Sequence, residues 1–305
     1  MVLCSQITFI IQGPITFDQQ ECITLKTISS IRIFYPGSQI ILSTWKNNFK
    51  IEFDVDVYLI NEDPGIIKTS NPYLQNYNRM MTSTSNAHKF VKTDYVAKVR
   101  SDFYFREKGG FIENFSDSSK LLMCIDNSHY KLYPFNISDW FHFGHKDLFF
   151  KIWNGQLVNE KFLKEFQMNK INFFELPFYI FKINNPQDLR MHSEQILFYN
   201  YLKSENIIIS YPQRINLNFL INCYFLISEA FNVISRTNLK LVSHKHKIHQ
   251  SLFDTTIFDI LNYNHFKPIK RLLLKIILQS IYIKNLFICV LLICKGYLKR
   301  LFLKK

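Results

Sequence analysis

The chain has 305 residues, 48% of them hydrophobic, which suits one large α/β domain with an appendage and excludes wholesale disorder. Its formal charge of +13 is unevenly spread. Residues 260–305 hold ten Lys and Arg and no acidic residue, while the other 27 basic and 24 acidic groups nearly balance, so the body lacks a nucleic-acid-like excess.

Ile7 to Ile11 is a continuous apolar, β-branched run, the pattern of a strand buried on both faces. Gln12-Gly13-Pro14 closes it with a turn signal. From Gln19 a helical period follows, with Leu25, Ile28, Ile31 and Phe34 at threes and Pro36-Gly37 as its stop. Ile40 to Leu42 reads as a second strand running into Ser43-Thr44-Trp45. Val55 to Ile60 reads as a third, closed by Asp63-Pro64-Gly65. Leu74, Tyr77, Met81, Thr84, Ala87 and Val91 mark a second helix. It feeds a fourth strand, Tyr95 to Asp102, which delivers Arg100 and Asp102 to its end. Leu121 to Ile125 and Trp140 to Phe143 read as further strands, the latter ending at Gly144. His145 to Trp153 and Ser193 to Lys203 read as helices, with Ser193 as N-cap. Residues 206–238 show only a mixed, partly buried segment.

Strands alternating with helices imply a mostly parallel sheet covered on both faces, a Rossmann-type α/β fold. The four early strands then end on one edge, where open α/β sheets bind ligands. That edge would collect Gln12, Gly13 and Pro14, Thr44 and Trp45, Asp63, and Arg100, Ser101 and Asp102. A carboxylate there can hold a divalent cation, and the cation a diphosphate, the equipment of an enzyme that uses a sugar nucleotide.

Ile11-Gln12-Gly13-Pro14-Ile15, Ser30-Ile31-Arg32 with Tyr35-Pro36, and Ile41-Leu42-Ser43-Thr44-Trp45 together resemble the WavE lipopolysaccharide synthesis family. So do Asp63-Pro64-Gly65, Asn78-Arg79, Lys98-Val99-Arg100-Ser101-Asp102, Ser138 to Gly144, and Ser193-Glu194-Gln195, in order over about two thirds of the chain. The resemblance implies a GT-A-type glycosyltransferase with a nucleotide-sugar donor. It also implies a glycan or lipid-linked acceptor in bacterial lipopolysaccharide or capsule assembly. Residues after about Tyr211 carry no such likeness.

Asp102 is the candidate metal ligand, for Mg or Mn. The motif is Arg-Ser-Asp, without the first Asp of an Asp-x-Asp pair, so water or another side chain completes the coordination or no metal binds; Asp102 could equally cap a turn. Arg100 and Arg79 are candidates for the diphosphate. Either could instead brace the edge, Arg100 through an acidic neighbour such as Asp63. Gln12, Gly13 and Pro14 suit a base or ribose, Gly13 by allowing close approach, or form an ordinary turn. Trp45 stacks on a base or sugar, or belongs to the core. Asp139 and Glu194 are candidates for the base that an inverting transfer needs. Asp139 could instead support the metal from behind, and Glu194 could complement its helix dipole. His244, His246 and His249 read as a solvated basic face, or one of them completes a metal site.

Six cysteines (Cys4, Cys22, Cys124, Cys223, Cys289 and Cys294) form no Cys-x-x-Cys pair and suit a reducing cytosol. Residues 1–12 lack the marks of a secretory signal, so the sequons at Asn114 and Asn136 read as coincidence. The expected division is a nucleotide-sugar domain over residues 1–255 and a basic amphipathic tail over 256–305. The longest uncharged apolar stretch of that tail, Asn285 to Cys294, is ten residues, whereas a spanning helix needs roughly twenty. The tail therefore reads as interfacial helices on the anionic inner face of the cytoplasmic membrane, as a helical pair packed on the body, or as a dimer contact. The rival functions are a nucleotidyltransferase on a similar sheet and a non-catalytic scaffold of polysaccharide assembly.

Overall fold

Ile7–Gln12 forms β1, and every one of its six side chains is buried. The computed structural model describes residues 2–46, 49–68, 74–115, 118–125, 135, 137–159, 161–162, 193–208, 216–243, 272, 275–280 and 283. In chain order β1 is followed by the short pair β2 (Phe17–Asp18) and β3 (Glu21–Cys22), α1 (Ile23–Phe34), β4 (Gln39–Trp45) and β5 (Val57–Asn61). Then come α2 (Tyr77–Ser85), β6 (Tyr95–Arg100), β7 (Phe103–Phe105), β8 (Leu121–Ile125), β9 (Phe141–His145) and α3 (Lys146–Trp153). The described chain closes with α4 (Ser193–Ser204), α5 (Leu217–Ala230), β10 (Phe231–Ser235), α6 (Arg236–Leu239) and β11 (Leu241–Ser243).

The central sheet has seven strands in the order β10-β8-β9-β6-β1-β4-β5. β1 is parallel to both β4 and β6, β5 is parallel to β4, and β10 to β8. Only β9 runs against its neighbours β6 and β8. The expected mostly parallel α/β sheet is thus present, and β1, β4, β5 and β6 end on one edge.

Alternation along each strand sorts side chains onto two faces. Ile10, Ile41, Val96 and Met123 meet Tyr77 of α2, Trp153 of α3, Leu197 of α4 and Tyr224 of α5. Phe9, Ile11, Leu42, Val99 and Phe141 point the other way, onto Ile28 and Ile31 of α1 and the aromatic group around Phe111. Phe9 and Tyr35 lie 5.1 Å apart between ring centroids, as do Phe111 and Phe141. Each buried aromatic of this kind contributes roughly 1.5–3 kcal/mol. The Tyr35 hydroxyl accepts from the Gly109 N–H at 2.8 Å, so this polar tip is satisfied inside the core.

Several expectations change. The second helix is shorter, because Ser83 and Thr84 return their hydroxyls to the carbonyls of Arg79 and Met80. Asn86 then turns its amide to Asn61 at 3.0 Å. β6 stops at Arg100, and Ser101 and Asp102 form a turn. Gly144 does not end its strand but lies inside β9. A Cβ there would sit 2.4 Å from Leu121 Cδ2, so the glycine permits close packing of β8. Residues 206–238 conceal α5 and β10, joined directly at Ala230–Phe231.

Most of the proposed tail, and His244, His246 and His249, lie outside the described residues. Leu272, residues 275–280 and Ile283 are helical. Leu278 is buried in the core with α2–α5, while Leu272, Ile276 and Ile283 are exposed. Among the described residues no helix is long and apolar enough to cross a membrane.

Candidate active site

Register brings the site together. Gln12 at the end of β1 sits between Ser43 of β4 and Arg100 of β6. Alternation puts all three on the sheet face covered by α2–α5. The turns beyond are stitched to one another: Gly13 N–H donates to the Ser43 carbonyl at 3.3 Å, and Ser101 N–H to the Gln12 carbonyl at 2.9 Å. Ser101 Oγ donates to the Pro14 carbonyl at 2.6 Å, while the Thr24 and Thr27 hydroxyls reach the Ser101 carbonyl at 3.3 and 3.4 Å.

Gly13 is required on two counts. Its φ is +130°, and a Cβ would lie 2.7 Å from Ser101 Oγ. Gly13→Ala is expected to cost about 1–3 kcal/mol and to loosen the turn against Ser101. Urea melts with nucleotide titrations would read both losses.

Beside this turn lies a buried ionic cluster. Arg100 donates from Nε to Asp102 Oδ1 and from Nη2 to Asp102 Oδ2, each at 2.9 Å. Its Nη1 is 3.6 Å from Asp139 Oδ2. Lys98 Nζ is 3.8 Å from the same oxygen and donates to the Asp139 backbone carbonyl. Asp139 Oδ1 is buried and has no hydrogen-bond partner among the described residues. Burial lowers the Arg100 pKa, but the Asp139 and Asp102 carboxylates outweigh it and hold the guanidinium protonated. Glu194, in the first turn of α4, adds a smaller contribution of the same sign, which places its charge near the cluster.

Lys98 is fully buried in mid-strand. Its ammonium lies 4.8 Å from the centre of the Trp153 ring. Burial lowers its pKa to about 8, against the opposing pull of Asp139. His142 faces Lys98 across the β6–β9 register and accepts from Trp153 Nε1 through Nδ1 at 3.0 Å. Burial, and then the Lys98 charge, lower its pKa to about 3.

Between the ordinary histidine value of 6.5 and the His142 value of about 3, the unfolded chain binds a proton that the folded chain does not. Stability from this group is therefore complete above pH 6.5 and is lost as pH falls. Urea melts are expected to lose about 2 kcal/mol from His142 between pH 7 and pH 5. In His142→Asn, which keeps an acceptor near Nδ1, that slope should flatten.

Other expected site residues lie elsewhere. Asp63 pairs with Arg79 and not with Arg100: Arg79 Nε donates to Asp63 Oδ1 at 2.8 Å and Nη2 to Oδ2 at 2.5 Å. The Arg79 hydrogen bonds hold the Asp63 carboxyl below its usual range. This is a partly exposed brace at the β5–α2 side. Thr44 is buried on the opposite sheet face from Gln12, and its carbonyl accepts from Asn61. Trp45 ends β4, partly exposed. Lys98, His142, Trp153 and Ser43 were not singled out from the sequence. For Lys98 a signal existed, since a lysine amid buried strand residues requires an anionic partner.

A divalent cation at Asp102 requires carboxylate oxygens free to coordinate it. Both oxygens of Asp102 accept from Arg100, and a cation there would share the carboxylate with a guanidinium. Among the described residues no group of three His, Cys, Asp or Glu could hold a metal.

The family model described as WavE lipopolysaccharide synthesis matches residues 7–229. No curated protein matches the chain. Among solved structures, one similar chain is a glycosyltransferase involved in the glycosylation of the major capsid of PBCV-1. It is 12% identical over 84% of this chain and 99% of that chain, with a TM-score of 0.34. Another is 4-diphosphocytidyl-2C-methyl-D-erythritol synthase from Anaerococcus prevotii DSM 20548, 13% identical over 65% and 98%, with a TM-score of 0.31. HddC from Yersinia pseudotuberculosis complexed with GMP-PN is 14% identical over 47% and 77%, with a TM-score of 0.28. Likenesses this distant carry no argument about function.

Proposed function

We propose that this chain, which belongs to the WavE lipopolysaccharide synthesis family, is a glycosyltransferase that moves a sugar from a nucleotide donor to a lipid-linked or polysaccharide acceptor. The observation that carries this reading is the cluster of Arg100, Asp102, Asp139 and Lys98 at the carboxyl edge of the parallel strands. Arg100 spends two of its five N–H groups on Asp102, and the other three make no hydrogen bond among the described residues. Those three suit diphosphate oxygens, where a fixed guanidinium offsets charge on the departing group. Gln12 and Gly13 border the same turn and suit close approach of the nucleotide.

For a transfer with inversion, Asp139 is the base. Its Oδ1 takes the proton of the acceptor hydroxyl while the hydroxyl oxygen bonds to the anomeric carbon and the nucleoside diphosphate leaves. Glu194 is the second carboxylate near the cluster. The test is a panel of sugar nucleotides and nucleoside triphosphates, with and without manganese. Release of a nucleoside diphosphate together with glycosylated acceptor supports the reading. Turnover of triphosphates alone would favour a nucleotidyltransferase.

The charge and apolar content of the tail support a position on the inner face of the cytoplasmic membrane. Leu272, Ile276 and Ile283 are exposed and helical. The surrounding excess of ten cations and no anions suits anionic headgroups, each nearby cation contributing on the order of 1 kcal/mol. Substituting Leu272→Gln, Ile276→Gln and Ile283→Gln together is expected to abolish cosedimentation with phosphatidylglycerol vesicles while preserving Tm. Leu278 stays intact because it belongs to the core. Unchanged cosedimentation would refute an interfacial role for these residues.

A further inference from the structure

We infer that Lys98 is a positioning residue that orients the Asp139 carboxylate and leaves Oδ1 as its working oxygen. The inference rests on the transferase reading and adds a residue to it.

Asp139 is held by three contacts of different kinds. Lys98 Nζ donates to its backbone carbonyl, which fixes the main chain just before β9. The same ammonium lies 3.8 Å from Oδ2, and Arg100 Nη1 approaches that oxygen at 3.6 Å. Both cations therefore draw on Oδ2, and neither engages Oδ1. Oδ1 remains buried with no hydrogen-bond partner among the described residues. A buried carboxylate oxygen without a donor is costly, so its persistence points to a ligand group that completes it. A hydroxyl that donates a proton satisfies that oxygen.

Lys98 is itself held. It is fully buried, its ammonium rests against the Trp153 ring at 4.8 Å, and Trp153 is fixed by its bond to His142 at 3.0 Å. Lys98 reaches Asp139 from within the sheet, and no contact places it on a ligand. Its effect passes through the carboxylate.

The test uses the full-length protein and the donor found active in the nucleotide panel. In Lys98→Gln, a side-chain donor to the Asp139 carbonyl is retained and the charge is lost. The expected result is a kcat at least tenfold lower, with donor KM and nucleoside diphosphate affinity unchanged. In Lys98→Arg, which keeps the charge, kcat should recover at least half of that loss on a logarithmic scale. The double variant Lys98→Gln with Asp139→Asn should be no slower than Asp139→Asn alone. Wild-type kcat in Lys98→Gln, or loss only in proportion to unfolded protein, overturns the proposal and leaves the transferase reading standing. If Lys98→Gln fails to fold, Lys98→Arg decides. A folded arginine variant with kcat as low as Asp139→Asn overturns the proposal. Absence of turnover by the wild type with every donor overturns both readings.

Discussion

Asp139→Asn is expected to lower kcat by roughly 10²–10⁴-fold, the usual contribution of a positioned general base. The amide has the shape of the carboxylate, and Lys98 bonds to the backbone carbonyl, so the main chain stays anchored. What disappears is the proton-accepting capacity at Oδ1, the oxygen that neither cation engages. Donor KM should hold, because the groups proposed to bind diphosphate lie on Arg100. Loss of kcat with constant KM is the mark of an interaction made in the transition state. Steady-state kinetics on purified variants reads this directly. If Asp139→Asn keeps wild-type turnover and Glu194→Gln loses it, the base is Glu194.

Lys98→Met is expected to hold stability at pH 7 or raise it by up to about 3 kcal/mol, because burial of the Lys98 charge outweighs the pull of Asp139. The methionine fills the space against Trp153 and gives up the hydrogen bond from Nζ to the Asp139 carbonyl. Asp139 would retain only the Arg100 approach at 3.6 Å. Lys98 also has a pH signature. Its folded pKa of about 8 lies below the ordinary 10.5, so between these values the unfolded chain holds a proton that the folded chain has released. Stability from this group therefore rises with pH across that window. Urea melts from pH 8 to 10 should show the rise in the wild type and its absence in Lys98→Met. A loss above about 3 kcal/mol at pH 7 in Lys98→Met would contradict this sign.

Much of the architecture was legible because buried parallel strands read as unbroken apolar runs. Ile7–Gln12 and Tyr95–Arg100 are such runs, and their hydrogen-bonded pairing sets Gln12 opposite Arg100. Arg100, Asp102 and Asp139 were legible as candidates since charged residues at strand ends have few structural reasons to be there. What stayed hidden has physical causes. α5 passes into β10 with neither glycine nor proline at the junction, and an apolar helix followed by an apolar strand has no single period to detect. Gly144 imitates a turn while serving a close contact with Leu121.

The partners in the cluster were illegible for another reason. Lys98 and Asp139 are 41 positions apart, and only the antiparallel return of β9 beside β6 brings them into contact. Arg79 and Asp63 show the converse: both lie near the edge in sequence terms, yet each satisfies the other. In the tail, charge and apolar content suggested interfacial helices but not which apolar residues face inward. Leu278 faces the core and Ile276 faces solvent, two positions apart.

The decisive measurement is a crystal structure of the protein bound to the nucleoside diphosphate that the donor panel selects. The diphosphate oxygens are predicted within hydrogen-bonding distance of Arg100, with the nucleoside running along Gln12 and Gly13 and the sugar end toward Asp139. Electron density for the nucleotide on any other face of the sheet, with Arg100 bound to Asp102 alone, would contradict the proposed chemistry.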